Sequence, residues 1–314
     1  MKRAMIKLVD DMQRELLLPR APRRIVSLVP SETLNLFALG AGDRLVGATD
    51  YCVEPTGALS LARVGGTKDA DPDKIAALQP DLVLANQEEN SRAIVRQLAE
   101  RQIPLFISFP RTVGEGVSHL ARLAKLLELL ADPQAKSAVS AAYAALREAE
   151  ARLAADEKAG LAPLEAFVPI WMEPLMTISG ETFVSDALRL AGANNVFGER
   201  RRRYPLAADL GRAEALSQAQ VGARDTRYPR VSMEEMIAAN PELILLPDEP
   251  YEFGPREAKL FGMQTIRAAE NEGAGIVQCN GRDLMWPGAR SAAGLPRLRA
   301  LTDQVRARRR SRLN

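Results

Sequence analysis

Histidine and cysteine are almost missing from this chain: among 314 residues there is one histidine, His119, and two cysteines, Cys52 and Cys279. One imidazole and two distant thiols leave no disulfide framework or C-x-x-C pair, and they argue against a dedicated zinc or iron–sulfur site. Any metal handled here is expected to arrive inside a chelate or to be held by oxygen ligands. His119 lies in V-S-H-L-A-R-L-A-K-L-L-E-L-L, a helical pattern, and is expected on a helix surface rather than at a ligand. An excess of one charge is also lacking: 42 basic against 40 acidic residues give +2, so nucleic-acid binding is not expected. Two local basic runs, R-R-R-R at 200–203 and R-A-R-R-R-S-R near the end, read as a solvated loop and a frayed tail.

Long apolar runs are absent as well. No stretch approaches the ~20 apolar residues of a membrane span. The opening M-K-R-A-M-I-K-L-V-D-D is charged throughout, with no apolar run of signal-sequence length. As written, the chain is expected in the cytoplasm; a periplasmic or cell-surface site follows if the start is misassigned or a leader has been removed. Catalytic signatures are missing too: no G-x-S-x-G elbow, no H-E-x-x-H, no phosphate-binding G-x-x-x-x-G-K-[ST], and no second histidine. Glu88 with Glu89, and Asp248 with Glu249, are carboxylate pairs without flanking sugar-binding aromatics, so hydrolysis is poorly supported. The chain is expected not to be an enzyme and to carry no intrinsic cofactor.

What is present is alternation. With 46% apolar and 26% charged residues, the chain has the length and core for two domains. R-R-I-V-S-L-V-P-S reads as a strand ended by Pro30, and S-E-T-L-N-L-F-A-L-G as a helix closed by Gly40. R-L-V-G-A-T, D-L-V-L-A and I-P-L-F-I-S-F follow as strands, with helices from Asp73 and Asn90 between them. Nearly all-apolar strands alternating with helices argue for a parallel sheet covered on both faces. After 117 the composition turns to Ala, Leu, Glu, Lys and Arg. Asp132 and Pro133 are set as N-cap and first-turn proline of a helix of ~25 residues, a rod of roughly 35 to 40 Å. Alternation then resumes with A-F-V-P-I-W, the helix F-V-S-D-A-L-R-L ending near Gly192, L-I-L-L-P and G-I-V-Q-C-N.

An internal repeat supports the same division. D-K-I-A-A-L-Q-P-D-L-V-L-A from Asp73 matches E-E-M-I-A-A-N-P-E-L-I-L-L from Glu234. The expected fold is α/β: two similar lobes with mainly parallel sheets, 1–116 and 161–314, joined by one long helix within 117–160. Ligands of such lobes gather at the carboxyl ends of strands. The candidates there are Pro30, Ser31 and Glu32; Tyr51; Asn86, Gln87 and Glu88; Pro110 and Arg111; Trp171 and Met172; Asp248 and Glu249; and Trp286 with Arg290. Such a mixture of aromatic, amide and charged groups suits a small-molecule cleft.

R-I-V-S-L-V-P-S-E-T, Y-C-V-E-P, V-G-G-T-K, P-D-L-V-L-A-N and S-G-E-T-F-V-S-D-A-L-R-L-A-G-A-N-N-V-F, in this order, resemble the helical-backbone metal receptors. These are the cobalamin, iron–siderophore and haem binding proteins of ABC importers, and the resemblance is nearest to the cobalamin-binding branch. It implies a ligand held between the lobes, a small closure rather than a wide hinge motion, and no chemical change in the ligand. It implies a monomer that binds a small-molecule chelate and docks to an ABC permease through an acid on each lobe; those acids fall on Asp73 and Glu234. Pocket positions carried over by the resemblance are Pro30, Ser31, Tyr51, Tyr228, Asp283 and Arg290. At Thr67, Asn86 and Met176 the cobalamin branch has aromatic rings, which grip a corrin face. Trp171, Phe183 and Trp286 are the rings available to replace them, and a more polar siderophore or smaller corrinoid is the alternative ligand. A cytosolic chelate carrier or store, or an enzyme acting on a metabolite in the same cleft, are the alternative functions.

Overall fold

The computed structural model describes residues 5–310. Met1–Ala144 with Trp286–Ala292 form one compact unit, and Ala145–Met285 with Ala293–Asn314 form a second.

The first unit opens with an antiparallel hairpin, β1 (Ile6–Val9) and β2 (Glu15–Leu18), paired Ile6 to Leu18 and Val9 to Glu15. The charged opening segment hid it from the sequence pattern. Asp10 builds its turn, accepting from Met12 N at 3.0 Å and Arg14 N at 2.9 Å, while Gln13 takes a positive φ of 60°. The sheet proper contains β3 (Ile25–Ser27), β4 (Leu45–Ala48), β5 (Ala62–Arg63), β6 (Leu82–Asn86) and β7 (Leu105–Ser108). Its order is β5-β4-β3-β6-β7, parallel throughout. All five residues of β6 are buried, as expected of a central strand with helices on both faces.

The helices of this unit begin where the sequence marks them. α1 (Pro30–Ala38) starts on its proline, whose absent N–H is one of the unpaired donors of any helix start. α2 (Pro72–Ala77) is capped by Asp71, which accepts from Asp73 N at 2.9 Å and Lys74 N at 3.2 Å. α3 (Arg92–Glu100) is capped by Ser91 and α4 (Val113–Leu126) by a reciprocal Thr112–Glu115 box. Val26, Leu28, Val83, Ala85 and Ile107 from the sheet pack with Ile75, Ile94 and Leu98 from α2 and α3.

α5 (Pro133–Lys158) has 26 residues and begins in the first unit and ends in the second, roughly 39 Å at the helical rise. Asp132 caps it as expected, accepting from Ala135 N at 3.0 Å.

The second unit holds β8 (Leu164–Phe167), β9 (Ala193–Asn195), β10 (Leu243–Pro247) and β11 (Ile276–Cys279), in the parallel order β11-β10-β8-β9. α6 (Phe183–Leu190) runs from β8 to β9 and is capped by Thr182. The fully buried Phe167 meets Phe197 and Phe261 edge-on at 5.6 and 6.0 Å, above Met236, Ile244 and Leu246. Two sheet-centred α/β units joined by a long helix are thus the fold that the alternation implied.

Two local expectations are corrected. His119 is not on a helix surface: it is 1% exposed, on the face of α4 that packs on Phe106. The basic end is not frayed up to 310, because helix Ala289–Arg310 continues through it and buried Arg306 donates to Gly192 O at 2.7 Å. Residues 1–4 and 311–314 of the charged termini lie outside the described residues. Among those described, no helix is long and apolar enough to cross a membrane.

Candidate functional site

In the first unit the carboxyl ends of the strands are knit by one buried polar network. β6 ends at Asn86 and β7 at Ser108, side by side in register. Asn86 Oδ1 accepts from Glu88 N at 2.8 Å and Glu89 N at 3.3 Å, and its Nδ2 donates to Ser108 Oγ at 3.2 Å. Ser108 Oγ donates onward to Glu32 Oε1 at 2.6 Å, and His119 Nε2 sits 2.9 Å from Glu32 Oε2. Glu32 is fully enclosed. Burial alone would raise its carboxyl pKa, yet the His119 charge and hydrogen bonds from His119, Ser108 and Asn35 together hold it below the usual glutamate value.

Asn90 adds a second tie. Its Nδ2 donates to Leu28 O at 3.1 Å and Thr67 O at 2.8 Å, and its Oδ1 accepts from Asn86 N at 2.8 Å. One amide therefore fixes the loops after β3 and β6 and the Thr67 segment. The network turns the side chain of Asn86 into a brace for the loop carrying Glu88. Buried amides with every group satisfied rigidify their surroundings.

Around this base, Ser31 is buried, Pro30, Thr67 and Glu88 are half-buried, and Arg111 is exposed. Tyr51 stands 63% exposed beyond β4, a ring surface open to a ligand. Trp286 and Arg290 belong to this unit, although they lie 200 and more positions beyond the end of β6 in sequence. Asn35 of α1 places them: its Nδ2 donates to Pro287 O at 3.0 Å and its Oδ1 accepts from Ala289 N at 3.0 Å. Gly288 has φ +108°, and a Cβ there would lie 2.3 Å from Asn35 Oδ1, so glycine is required for this contact.

The second unit presents different chemistry. The chain after β8 turns back on itself, Ile170 N donating to Met176 O and Met176 N to Trp171 O, both at 2.9 Å. Trp171 is 44% exposed at this turn and meets Tyr251 edge-on at 5.7 Å; Tyr251 lies 4.7 Å from Phe253. A depression of about 300 Å³ follows, lined by Met172, Glu173, Tyr251, Arg256 and Met263. Residues 227–230 run beside the same turn, with Thr177 N on Pro229 O at 3.0 Å and Ser179 N on Arg227 O at 2.7 Å, and this brings Tyr228 and Met176 to one edge. A larger cavity of about 430 Å³ lies against Leu161, Pro163 and Asn194, at the starts of β8 and β9. That is the end of the sheet away from the usual ligand edge.

Other candidates are occupied within the unit. Asp248 is exposed, but its Oδ1 accepts from Gly281 N at 2.7 Å. Asp283, 3% exposed, is gripped by Arg297 through two bonds of 2.7 Å. Phe183 is 6% exposed and packs as the first residue of α6, so Trp171 is the open ring of that set. Burial, with the negative charges of Asp248 and Asp283, pushes the Cys279 thiol far up, which makes it unreactive. No group of three metal-ligating side chains occurs among the described residues.

The arginine run at 200–203 is not a solvated loop. Arg200 reaches Asp209 and Glu235, each at 3.2 Å, with its side chain 12% exposed, and Arg201 holds Glu181 at 2.6 Å. Buried Asp209 draws the run inward, and nothing local in the sequence announced it. Asn90 and Ser108 also escaped the sequence reading; the only signal for Asn90 was a second amide closing N-Q-E-E-N. As for the proposed docking acids, Asp73 lies in the first turn of α2, 83% exposed, paired to Arg101 at 2.6 Å. Glu234 is exposed in the first turn of helix Met233–Ala239.

The sequence pattern of the periplasmic binding protein family matches residues 25–260. The vitamin B12-binding protein of Yersinia pestis is 33% identical over 186 residues, which is 59% of this chain and 64% of that protein. The chain thus spans less than two thirds of the length of the curated relatives it matches. The periplasmic vitamin B12 binding protein BtuF of Vibrio cholerae superposes with a TM-score of 0.70 at 22% identity, over 92% of this chain and 99% of that one. The periplasmic heme-binding protein RhuT from Roseiflexus sp. RS-1 gives 0.69 at 19% identity, over 90% and 99%. At such identities the two structures speak for the fold.

Proposed function

The chain belongs to the periplasmic binding protein family, and on that premise we propose that it carries a cobalamin-like or metal-chelate ligand, recognised by the strand-end loops of its units, for an ABC importer. It is a binding protein and not an enzyme. The observation that carries the reading is the family match across 25–260, which includes the five-stranded sheet of the first unit and β8, β9 and β10 of the second. Braced loops in the first unit and exposed rings in the second suit a ligand that is large and partly apolar. The periplasmic relatives support the same compartment for this chain.

In this reading Tyr51, Trp171 and Tyr228 supply ring contacts, and Ser31, Thr67 and Glu88 polar ones. Arg111, Trp286, Arg290, Met176 and Asp248 complete the ligand-contacting set, and Asn86 acts through the loop it braces. Asp73 and Glu234 dock to the permease. The purified protein should bind cyanocobalamin, a ferric siderophore or haemin and release it chemically unchanged. A ligand at 100 times its dissociation constant adds about 2.7 kcal/mol to stability, readily seen as a rise in Tm. Flat melting curves across all three chelate classes, or recovery of an altered ligand, count against the proposal. Joint Asp73→Ala and Glu234→Ala should leave affinity intact and abolish transport in reconstituted vesicles; lost affinity would move these acids into the ligand site.

A further inference from the structure

Residues 199–230 of the second unit hold eight arginines against four acids. Three of these arginines are closely matched by acids: Arg200 by Asp209 and Glu235, Arg201 by Glu181, and Arg227 by Asp225 at 2.6 Å. Arg202 and Arg230 are not matched in the same way. The Nε of Arg202 and both Nε and Nη1 of Arg230 are buried and have no hydrogen-bond partner among the described residues. The nearest carboxylate to Arg230, Asp209 Oδ2, is 3.8 Å from Nη1. Asp209 is already committed, to Arg200 Nη1 at 3.2 Å, Arg203 N at 2.8 Å and Arg230 N at 2.7 Å.

The two arginines are held where they are. The Arg202 guanidinium stacks on Tyr204, 4.8 Å from the ring centre. Arg202 N donates to Thr226 O at 2.8 Å, and Tyr204 OH to Asp225 O at 2.7 Å. Arg230 is bridged to Met176, in the turn that carries Trp171. Arg202 is thus tied by its backbone to Thr226, four residues before Arg230, and the like charge of Arg202, after burial, lowers the proton affinity of Arg230. Buried donors left open in this way are rare in folded proteins, and a guanidinium is built to grip a planar oxyanion with paired N–H groups.

We propose that Arg202 and Arg230 form an anion receptor beside the Trp171–Met176 turn, taking a carboxylate borne by the chelate ligand. The inference rests on the chelate-binding reading above and narrows its ligand to anionic chelates. A neutral amide of a cobalamin-type ligand could accept from these N–H groups but would bring no countercharge.

The full-length protein is titrated with haemin, which bears two carboxylates, with haemin dimethyl ester, and with citrate alone. Wild type is compared with the double variant Arg202→Gln, Arg230→Gln and with the double lysine variant, each checked for wild-type circular dichroism. The expected result is haemin binding at least tenfold tighter than the ester in wild type, loss of that preference in the glutamine variant with ester affinity unchanged, and partial retention in the lysine variant. Equal affinity for haemin and ester in wild type, or a preference that survives in the glutamine variant, overturns the receptor. If no porphyrin, cobalamin or siderophore binds but citrate raises Tm in wild type alone, the pair is a free-anion site and the chelate reading fails. If citrate also has no effect, both fail.

Discussion

α2 with β6, and helix Met233–Ala239 with β10, are the same element written twice, 161 positions apart. The correspondence extends to single groups. Asp71 and Ser232 occupy the same cap position, each in extended backbone and each accepting from the first turn. Ile75 and Met236, both 0% exposed, drive the two helices onto their sheets. Gln79 and Asn240, with φ of 48° and 46°, end the helices in the left-handed region without glycine. The strands that follow are five residues long and wholly buried. Divergence begins where the strands stop. β6 ends on Asn86 and its amide network, whereas β10 ends on Pro247, which has no N–H to give, and leads to the exposed Asp248 and the Tyr251–Phe253 rings. The frame is repeated because burial and capping constrain it; the loops are free to differ, and ligand chemistry resides there.

The largest effect expected on this comparison falls on a feature with no twin. Glu32→Ala strips the partner from buried His119 and should cost about 3 to 5 kcal/mol in urea unfolding, the usual loss when one member of a buried pair is removed. The sign with pH follows from the lowered pKa of Glu32. Its contribution is complete above the unfolded value of 4.5 and is lost as pH falls through the lower folded value. Acid titration of stability should therefore fall less steeply below pH 4.5 in Glu32→Gln than in wild type.

Next come the twin core residues. Ile75→Ala and Met236→Ala should each cost about 2 to 5 kcal/mol; if only one did, the two helices would not be equivalent in packing. The twin caps rank below them, with Asp71→Ala and Ser232→Ala each expected to lower stability by about 1 kcal/mol. The smallest effect separates the twins at the helix ends. Gln79→Gly should stabilise by up to about 1 kcal/mol, because glycine adopts positive φ without strain. Asn240→Gly should gain less, since Asn240 Oδ1 also accepts from Arg267 N at 2.8 Å and asparagine itself tolerates this conformation. Equal gains would show that the Arg267 contact is without weight.

The helices and strands were legible because their signals are local: Pro30 between a strand and a helix, Asp132 and Pro133 as cap and first-turn proline, and unbroken apolar runs in β6 and β10. The short strands β5 and β9 carried too few residues for periodicity to register, and the hairpin of β1 and β2 was masked by charge. At the site, the strand-end positions were legible from the order of elements, but their roles were not. Asn86 was expected as a ligand contact, and its amide also braces the loop carrying Glu88. His119 looked like a surface residue and is a buried partner of Glu32. The four-arginine run looked solvated, yet Arg200 and Arg201 are paired to acids that lie up to 35 residues away.

By itself the sequence determined two parallel-sheet units and the helix that joins them, because apolar periodicity, caps and breakers act over a few neighbouring residues. Only the tertiary structure decided which polar groups are spent on one another and which remain open, since a hydrogen bond such as Asn35 to Pro287 spans 252 positions. The partner of a buried charge is chosen by distance in space, and no local pattern in the chain encodes that distance.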